Sequence, residues 1–171
     1  MSPVFTLRYI YAVKAEAASS TPPTSSSPTS LTIFWLEVLE LAHANDDPGI
    51  ASKLASLQLR RDDLDEIFGP GAAGRMWNEY SRAFASFAGE GAAEIARKIR
   101  ERRYDDVEVL PINGVRPESL APADRRTAEN LRTNAPVYTV RLKRAEESDG
   151  IRIDTFVHLD GSWRTALKVG I

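Results

Sequence analysis

The chain has 171 residues, no cysteine and a formal net charge of −2. The lack of cysteine excludes disulfides, thiolate metal ligands and acylation at a lipobox cysteine. With so small a net charge, the chain has no long-range positive field that would attract nucleic acid or an anionic membrane. No apolar run approaches the roughly 20 residues that span a bilayer. The sequence therefore predicts neither a nucleic-acid partner nor a transmembrane segment.

Residues 1–18 give two opposing signals about export. The apolar residues around Phe5 and Ile10, followed by Ala15-Glu16-Ala17, resemble a signal peptide and its cleavage site. Arg8 interrupts the apolar run and no basic residue precedes it, so an unstructured leader is favoured. The sequence leaves the compartment open between cytoplasmic and exported.

Residues 19–32 consist almost entirely of Ser, Thr and Pro. Such a stretch buries little apolar surface and is predicted to be a disordered linker, of the kind that often tethers domains at cell envelopes. We therefore divide the chain into a disordered leader and linker over residues 1–31 and a single folded domain over residues 32–171.

Five helices are predicted between residues 33 and 103, where apolar residues recur every three or four positions. They cover residues 33–44, 48–57, 62–68, a longer stretch from residue 72, and residues 94–103. In the fourth helix, Met76, Tyr80 and Phe84 are spaced for one buried face. Gly89 and Gly91 are predicted to interrupt that helix.

The remainder of the domain is predicted to be mostly strand. Val137–Lys143 alternates between apolar and polar residues, with Tyr138 on the face expected to meet the helices. Asp106–Ile112 is also predicted as a strand, and a short helix over Pro122–Thr133 is inserted between the two strands. This order predicts an α+β fold, with N-terminal helices packed on one face of a curved antiparallel sheet of about four strands.

Residues 151–171 predict a β-hairpin, because apolar and polar side chains alternate on both sides of Asp160-Gly161. A two-residue turn at Asp160-Gly161 would place Val157 opposite Arg164. A three-residue loop over residues 159–161 places Val157 opposite Trp163 and aligns apolar side chains along the ladder. We therefore prefer the three-residue loop, with one apolar face made of Ile151, Ile153, Thr155, Val157 and Leu159.

A dinucleotide-binding fingerprint occurs literally at Gly69–Gly74, but that motif functions only between a strand and a helix. Residues 62–68 are predicted to be helical, so we interpret the glycines as a break between helices. The basic residues from Arg97 to Arg103 complement the dipole at a helix C-terminus, and two aspartates follow them. The sequence therefore predicts no cofactor, and the basic helix end adds no case for nucleic acid.

His43 and His158 are the two histidines of the chain, and without cysteine they make a weak case for a metal, so no metal ligand is predicted. Asp154 and His158 stand on one strand about 13 Å apart, at roughly 3.3 Å per residue. That separation excludes direct coupling as an acid–base dyad. Tyr138, Asp154 and His158 are therefore candidate catalytic groups that could each act alone.

Large aromatic side chains supply the candidate ligand-binding residues. Trp35, Trp77 and Trp163 stand at spacings where aromatic side chains usually pack in a core. Tyr80 and Tyr138 carry hydroxyl groups that need partners wherever they are buried. The candidate binding pocket is lined by Tyr80, Tyr138 and Trp163.

The segment Phe156–Arg164 resembles the hairpin that closes the sheet in the nuclear transport factor two-like (cystatin-like α+β) superfamily, with its strand, Asp-Gly, Trp and second strand. The order of helices before a curved antiparallel sheet is similar too. The resemblance implies a cone-shaped pocket between helices and sheet. It also implies roles that range from small-molecule lyases, isomerases and cyclases to non-enzymatic binding and dimerisation modules.

Three functional hypotheses follow. The leading one is a non-catalytic binding or protein-interaction domain, because the chain carries a linker and no convergent set of polar residues. The alternative is a small pocket enzyme that transfers a proton, and the third is a purely structural envelope domain. The partner is an unknown protein or small-molecule ligand, and a homodimer through the sheet is a further hypothesis.

Overall fold

The helices come first along the chain, as the sequence predicts. The computed structural model describes residues 27–167, except for the Asp154 side chain. Its first five α-helices are α1 (Pro28–His43), α2 (Asp47–Ala55), α3 (Asp63–Phe68), α4 (Ala72–Ser86) and α5 (Ala92–Arg102). No helix within this range is both long enough and apolar enough to cross a membrane.

The four described strands form one antiparallel sheet in sequence order, β1-β2-β3-β4. They are β1 (Asp106–Pro111), β2 (Val137–Lys143), β3 (Gly150–Leu159) and β4 (Ser162–Thr165). The β1–β2 connection, residues 112–136, carries a 3-10 turn at Pro117–Ser119 and a sixth helix, α6 (Pro122–Asn130). The predicted α+β class is confirmed.

Helix α1 begins at Pro28, five residues before the predicted start and inside the stretch assigned to the linker. The Ser27 side chain accepts a hydrogen bond from the Ser30 amide, and proline at the first helical position has the φ angle that a helix requires. Leu31 is fully buried in this first turn. Residues 1–26 of the predicted leader and linker lie outside the described residues.

A π-helical turn, Phe87–Gly91, lies between α4 and α5, where the two glycines were expected to interrupt the helix. The backbone stays helical through both glycines. A side chain at Gly91 would meet the Ser86 carbonyl oxygen at 3.2 Å, so the wider turn brings backbone close to this position. The glycine pair therefore adjusts the helix instead of ending it.

The β3–β4 hairpin has the two-residue turn, so the preferred three-residue loop is wrong. Asp160 and Gly161 both have positive φ, 46° and 77°, as a type I′ turn requires, and Asp-Gly is a favoured sequence for it. Val157 consequently pairs with Arg164, and His158 pairs with Trp163. The predicted pairing of Ile153 with Leu167 does not form because β4 ends at Thr165, and the partner predicted for Ile151, Val169, lies outside the described residues.

Arg164 explains how a charged side chain is accommodated opposite Val157. Its guanidinium Nη1 donates to the Gln58 carbonyl oxygen at 2.9 Å, and the Thr165 amide donates to the Leu57 carbonyl oxygen at 2.8 Å. The segment between α2 and α3 therefore runs along β4 and covers this side of the hairpin. Val157 can therefore pair with a charged residue, because the segment between α2 and α3 supplies the hydrogen-bond partner of Arg164.

A β-bulge in β3 overturns the prediction of a single apolar face for that strand. The pairing of β2 with β3 shifts between Tyr138 and Val140, and Thr155 has a positive φ of 62°. One extra residue in the bulged strand reverses the facing of everything beyond it. Ile153 therefore shares a face with Phe156, although the two are three positions apart in the sequence.

The two faces of the sheet have different roles. One, here called the helix face, carries the buried residues Val140, Leu142, Ile153 and Phe156. Trp35 of α1 packs edge-on against Phe156, with 5.6 Å between the ring centroids. The other, here called the cleft face, carries the polar side chains of Glu108, Arg141 and Arg152 in register. The sequence places His158 and Phe156 on the polar face of β3, whereas both lie on the helix face.

Candidate binding cleft

A cleft of about 350 Å³ lies between the cleft face and the β1–β2 connection. Most of its walls are apolar, and three charged side chains enter it, which is the composition of a small-ligand site. Its lining consists of Leu110, Pro111, Val115, Ser119, Leu120, Ala121, Asp124, Arg141 and Arg152.

Arg141 and Arg152 stand directly opposite each other on β2 and β3. Two like charges in this position repel each other unless each has a counter-charge. Arg141 Nη1 lies 3.0 Å from a carboxylate oxygen of Glu108 on β1, and Arg152 forms an ion pair with Asp124 of α6. The two carboxylates, one from each side, allow both arginines to remain on this face.

Asp124 is brought to the sheet by helix α6. Pro122 occupies the first helical position of α6, and Asp124 lies in the first turn, where a carboxylate is favoured by the helix dipole. The residue is only 5% exposed. A buried carboxylate needs a paired charge, and Arg152 supplies it. The pair therefore joins the β1–β2 connection to the sheet within the lining of the cleft.

Arg141 has donors that the described residues do not use. Nη1 bonds both Glu108 and, at 3.3 Å, the Ser148 carbonyl oxygen. Within residues 27–167, the hydrogen bonds of this guanidinium all involve Nη1. The Nε–Nη2 edge is therefore available to a ligand, since the side chain lines the cleft and is 31% exposed.

Three of the predicted site residues, Tyr138, His158 and Trp163, meet on the helix face. The Trp163 ring centroid lies 5.0 Å from that of His158 and 5.8 Å from that of Tyr138, and both contacts are edge-on. Trp163 Nε1 donates to the Ser30 hydroxyl at 2.9 Å. The three rings pack on each other beside the start of α1, and they line neither the cleft beneath the β1–β2 connection nor a second groove between α1 and α2.

Burial lowers the pKa of His158 below its ordinary value of 6.5. Its Nε2 is buried and has no hydrogen-bond partner among the described residues. A neutral imidazole is the form that tolerates this environment, because desolvation disfavours the cation.

Acidification is therefore expected to destabilise the protein through His158. His158 binds a proton near pH 6.5 in the unfolded chain and only at lower pH in the folded chain. The contribution of the neutral imidazole to the free energy of unfolding is therefore fully present above about pH 6.5 and is lost as the pH drops towards the folded pKa. His158→Gln should remove this part of the decline. Urea unfolding of both proteins between pH 8 and pH 5 measures it, and identical pH dependence would contradict the assignment.

Tyr80, the remaining predicted ligand-binding residue, lies apart from the aromatic trio and is fully buried. Its hydroxyl accepts from the Leu59 amide at 2.7 Å and donates to the Thr165 carbonyl oxygen at 3.1 Å. Burial raises its pKa above the ordinary tyrosine value. The hydroxyl therefore joins two backbone segments, and Tyr80 does not line either cleft.

Two polar residues considered in the sequence analysis remain, His43 and Asp154. His43 is exposed, and its Nε2 donates to the Tyr104 carbonyl oxygen at 2.8 Å. The side chain of Asp154 lies outside the described part of the structure, so its candidate role stays a prediction. Among residues 27–167, no three side chains of His, Asp or Glu come together as metal ligands.

A second groove, of about 430 Å³, lies between α1 and α2 and is more open to solvent. Glu37, Glu40 and Asp46 line it, and Lys53 bonds Glu37 at 2.5 Å across it. Its acidic side chains point to no convergent chemistry, so the cleft beneath the β1–β2 connection is the better candidate.

Sequence reasoning missed the residues of this cleft. Arg141 and Arg152 each occupy a polar position in a strand where apolar and polar residues alternate. This pattern indicates a polar face of the sheet and does not indicate a ligand site. Asp124 lies in helix α6, and no local sequence pattern indicates where that helix docks on the sheet. A search for charged residues on the polar phase of adjacent strands could have found the arginines, but not their partner.

Comparison of the chain with protein-family models, with curated proteins and with solved structures gives no match. The resemblance to the nuclear transport factor two-like superfamily therefore stays a prediction.

Proposed function

We propose that the protein is a non-catalytic binding domain whose small ligand occupies the cleft between the sheet and the β1–β2 connection. The observation that supports this most directly is the Asp124–Arg152 ion pair, which lines a cleft whose walls are mostly apolar. Such a combination of apolar walls with a few fixed polar groups is typical of ligand sites.

The side chains in the cleft favour binding over catalysis. Asp124 is committed to Arg152, and an arginine stays protonated throughout the range in which proton transfer would be useful. Among residues 27–167, the lining of the cleft includes no His, Tyr, Lys or Cys, and Ser119 has no neighbouring His or Lys in it. Proton transfer or nucleophilic attack therefore lacks a suitable group in this cleft.

The pocket-enzyme alternative has weaker support. It would draw on Tyr138 and His158, whose rings are packed against Trp163 beside α1. A cone-shaped pocket of the nuclear transport factor two-like kind would lie on that face, where the described side chains between sheet and α1 are closely packed. We retain the superfamily resemblance as a proposal about ancestry, and the binding cleft does not depend on it.

Filling the cleft is expected to abolish ligand binding without unfolding the protein. Val115 lines the cleft from the connection, and Val115→Trp adds a large side chain there. Glu118→Trp adds the same side chain on an exposed position of the same connection that does not line the cleft. Thermal shift with a panel of small acids, amines and neutral molecules, followed by titration calorimetry, identifies compounds that stabilise the protein on binding.

Compounds that use the cleft should stabilise the wild type and Glu118→Trp but not Val115→Trp, with all three proteins folded by circular dichroism. If the panel gave only binding that survived Val115→Trp, or gave no binding at all, the proposed function would be wrong.

A further inference from the structure

We infer that the ligand of this cleft is a small organic monocarboxylate with an apolar body, held through its carboxylate by Arg141. This inference rests on the proposed function and adds the chemical class of the ligand.

The cleft has a local excess of positive charge. Its lining contains two guanidinium groups, Arg141 and Arg152, and one carboxylate, Asp124. Asp124 is 5% exposed and paired with Arg152, so its charge is already compensated. Arg141 is paired with Glu108, which does not itself line the cleft. Arg141 is therefore the guanidinium of the lining that has no carboxylate partner within the lining, and an anion is the ligand that it favours.

Arg141 offers an anion its Nε–Nη2 edge. The contacts with Glu108 and the Ser148 carbonyl both use Nη1, which leaves two parallel donors on the other edge of the plane. This spacing of donors matches the two oxygens of a carboxylate, and such paired bonds are short and strong. The geometry points to a carboxylate.

Nearby acidic groups limit the charge of the ligand. Glu108 lies 3.0 Å from Arg141, and Asp124 lines the same cleft. A dianion would meet stronger repulsion from Glu108, whereas a monoanion can pair with the Nε–Nη2 edge of Arg141 while Glu108 keeps its contact with Nη1. A monocarboxylate therefore fits better than a phosphate ester or a dicarboxylate.

The opposite wall accommodates an apolar body. Leu110, Val115 and Leu120 line the cleft together with Pro111 and Ala121, and burial of apolar ligand surface there is favourable at roughly 25 cal/mol per Å². The volume of about 350 Å³ is at the small end of ligand sites. Short aliphatic or single-ring acids are therefore the expected class.

The test compares two acids with their amides on the full-length chain by titration calorimetry. Hexanoate and phenylacetate carry the charge, and hexanamide and phenylacetamide retain the shape without it. The variants are Arg141→Gln, Arg141→Lys, Glu108→Gln and Lys143→Gln. Lys143 is the matched control, because it lies on the same strand and face, pairs with Asp106 and does not line the cleft.

Both acids are expected to bind more tightly than their amides. Arg141→Gln should weaken acid binding by about tenfold or more, as for loss of a charged hydrogen bond. Arg141→Lys should recover only part of it, because the ammonium lacks the paired donors. Glu108→Gln should strengthen acid binding by removing a competing carboxylate, and Lys143→Gln should change it little.

Equal binding of acid and amide, or acid binding unchanged in Arg141→Gln, would overturn this inference while leaving a Val115→Trp-sensitive cleft intact. If neither acid bound, but a ligand of another class bound in a Val115→Trp-sensitive way, this inference would be overturned and the proposed function would stand. Only the loss of all Val115→Trp-sensitive binding would remove the proposed function as well. If Arg141→Gln did not fold, the opposite shift expected in Glu108→Gln would still decide the question.

Discussion

Trp35→Ala is expected to lower the free energy of unfolding by about 3–5 kcal/mol, the range for loss of a large buried aromatic side chain. Trp35 is fully buried and contacts Phe34 and Phe156 edge-on at 5.7 and 5.6 Å. The ring therefore joins α1 to the sheet, and alanine would leave a cavity between the two layers. Urea unfolding followed by far-UV circular dichroism measures the loss.

Two further variants make the Trp35 prediction specific. Trp77 is only half-buried, so Trp77→Ala should cost clearly less. Trp35 Nε1 is buried without a partner among the described residues, so Trp35→Phe removes an unsatisfied donor and should also cost less than Trp35→Ala. A loss for Trp35→Ala no larger than that for Trp77→Ala would show that the ring does not bridge the layers.

Tyr80→Phe is expected to destabilise the protein by about 2–4 kcal/mol, although it removes a single oxygen atom. The Leu59 amide and the Thr165 carbonyl would each lose a partner in a buried position, and a buried unsatisfied group costs about 1–3 kcal/mol. Chemical denaturation of the variant gives the value. The aromatic stacking with Trp77 and Phe84 would remain.

Tyr104→Phe is the matched control for the hydroxyl group. Tyr104 is 7% exposed, and its hydroxyl makes no hydrogen bond within the described part of the chain, so its loss should change stability little. Equal effects of the two substitutions would show that the Tyr80 hydroxyl does not join the α2–α3 segment to β4. A large effect on ligand affinity with unchanged stability would instead return Tyr80 to the binding-site role predicted from the sequence.

The helices and strands were predictable because each depends on local spacing and local breakers. The predicted strand Val137–Lys143 has the observed bounds, and the predicted helix over residues 62–68 differs by one residue at its start. The start of α1 was missed because Ser27 and Pro28 were interpreted as linker composition. In that position they act as a helix cap and a first turn.

The error in β3 came from one residue. Strict alternation from Ile151 to Leu159 predicts a continuous strand, but Thr155 adopts a positive φ and inserts a bulge. A β-branched residue seldom adopts this conformation, so the sequence carries no signal for it. That bulge places His158 on the helix face with Tyr138 and Trp163, and thereby changes which predicted site residues meet.

The sequence by itself determined the α+β class, the order of the elements and most of their limits, because hydrophobic periodicity and turn chemistry act over a few residues. Only the tertiary structure decided the candidate site. Asp124 and Arg152 stand on separate elements, and their ion pair forms because α6 docks against the sheet. The choice of face in β3 also depended on packing from both sides, which short-range patterns do not encode.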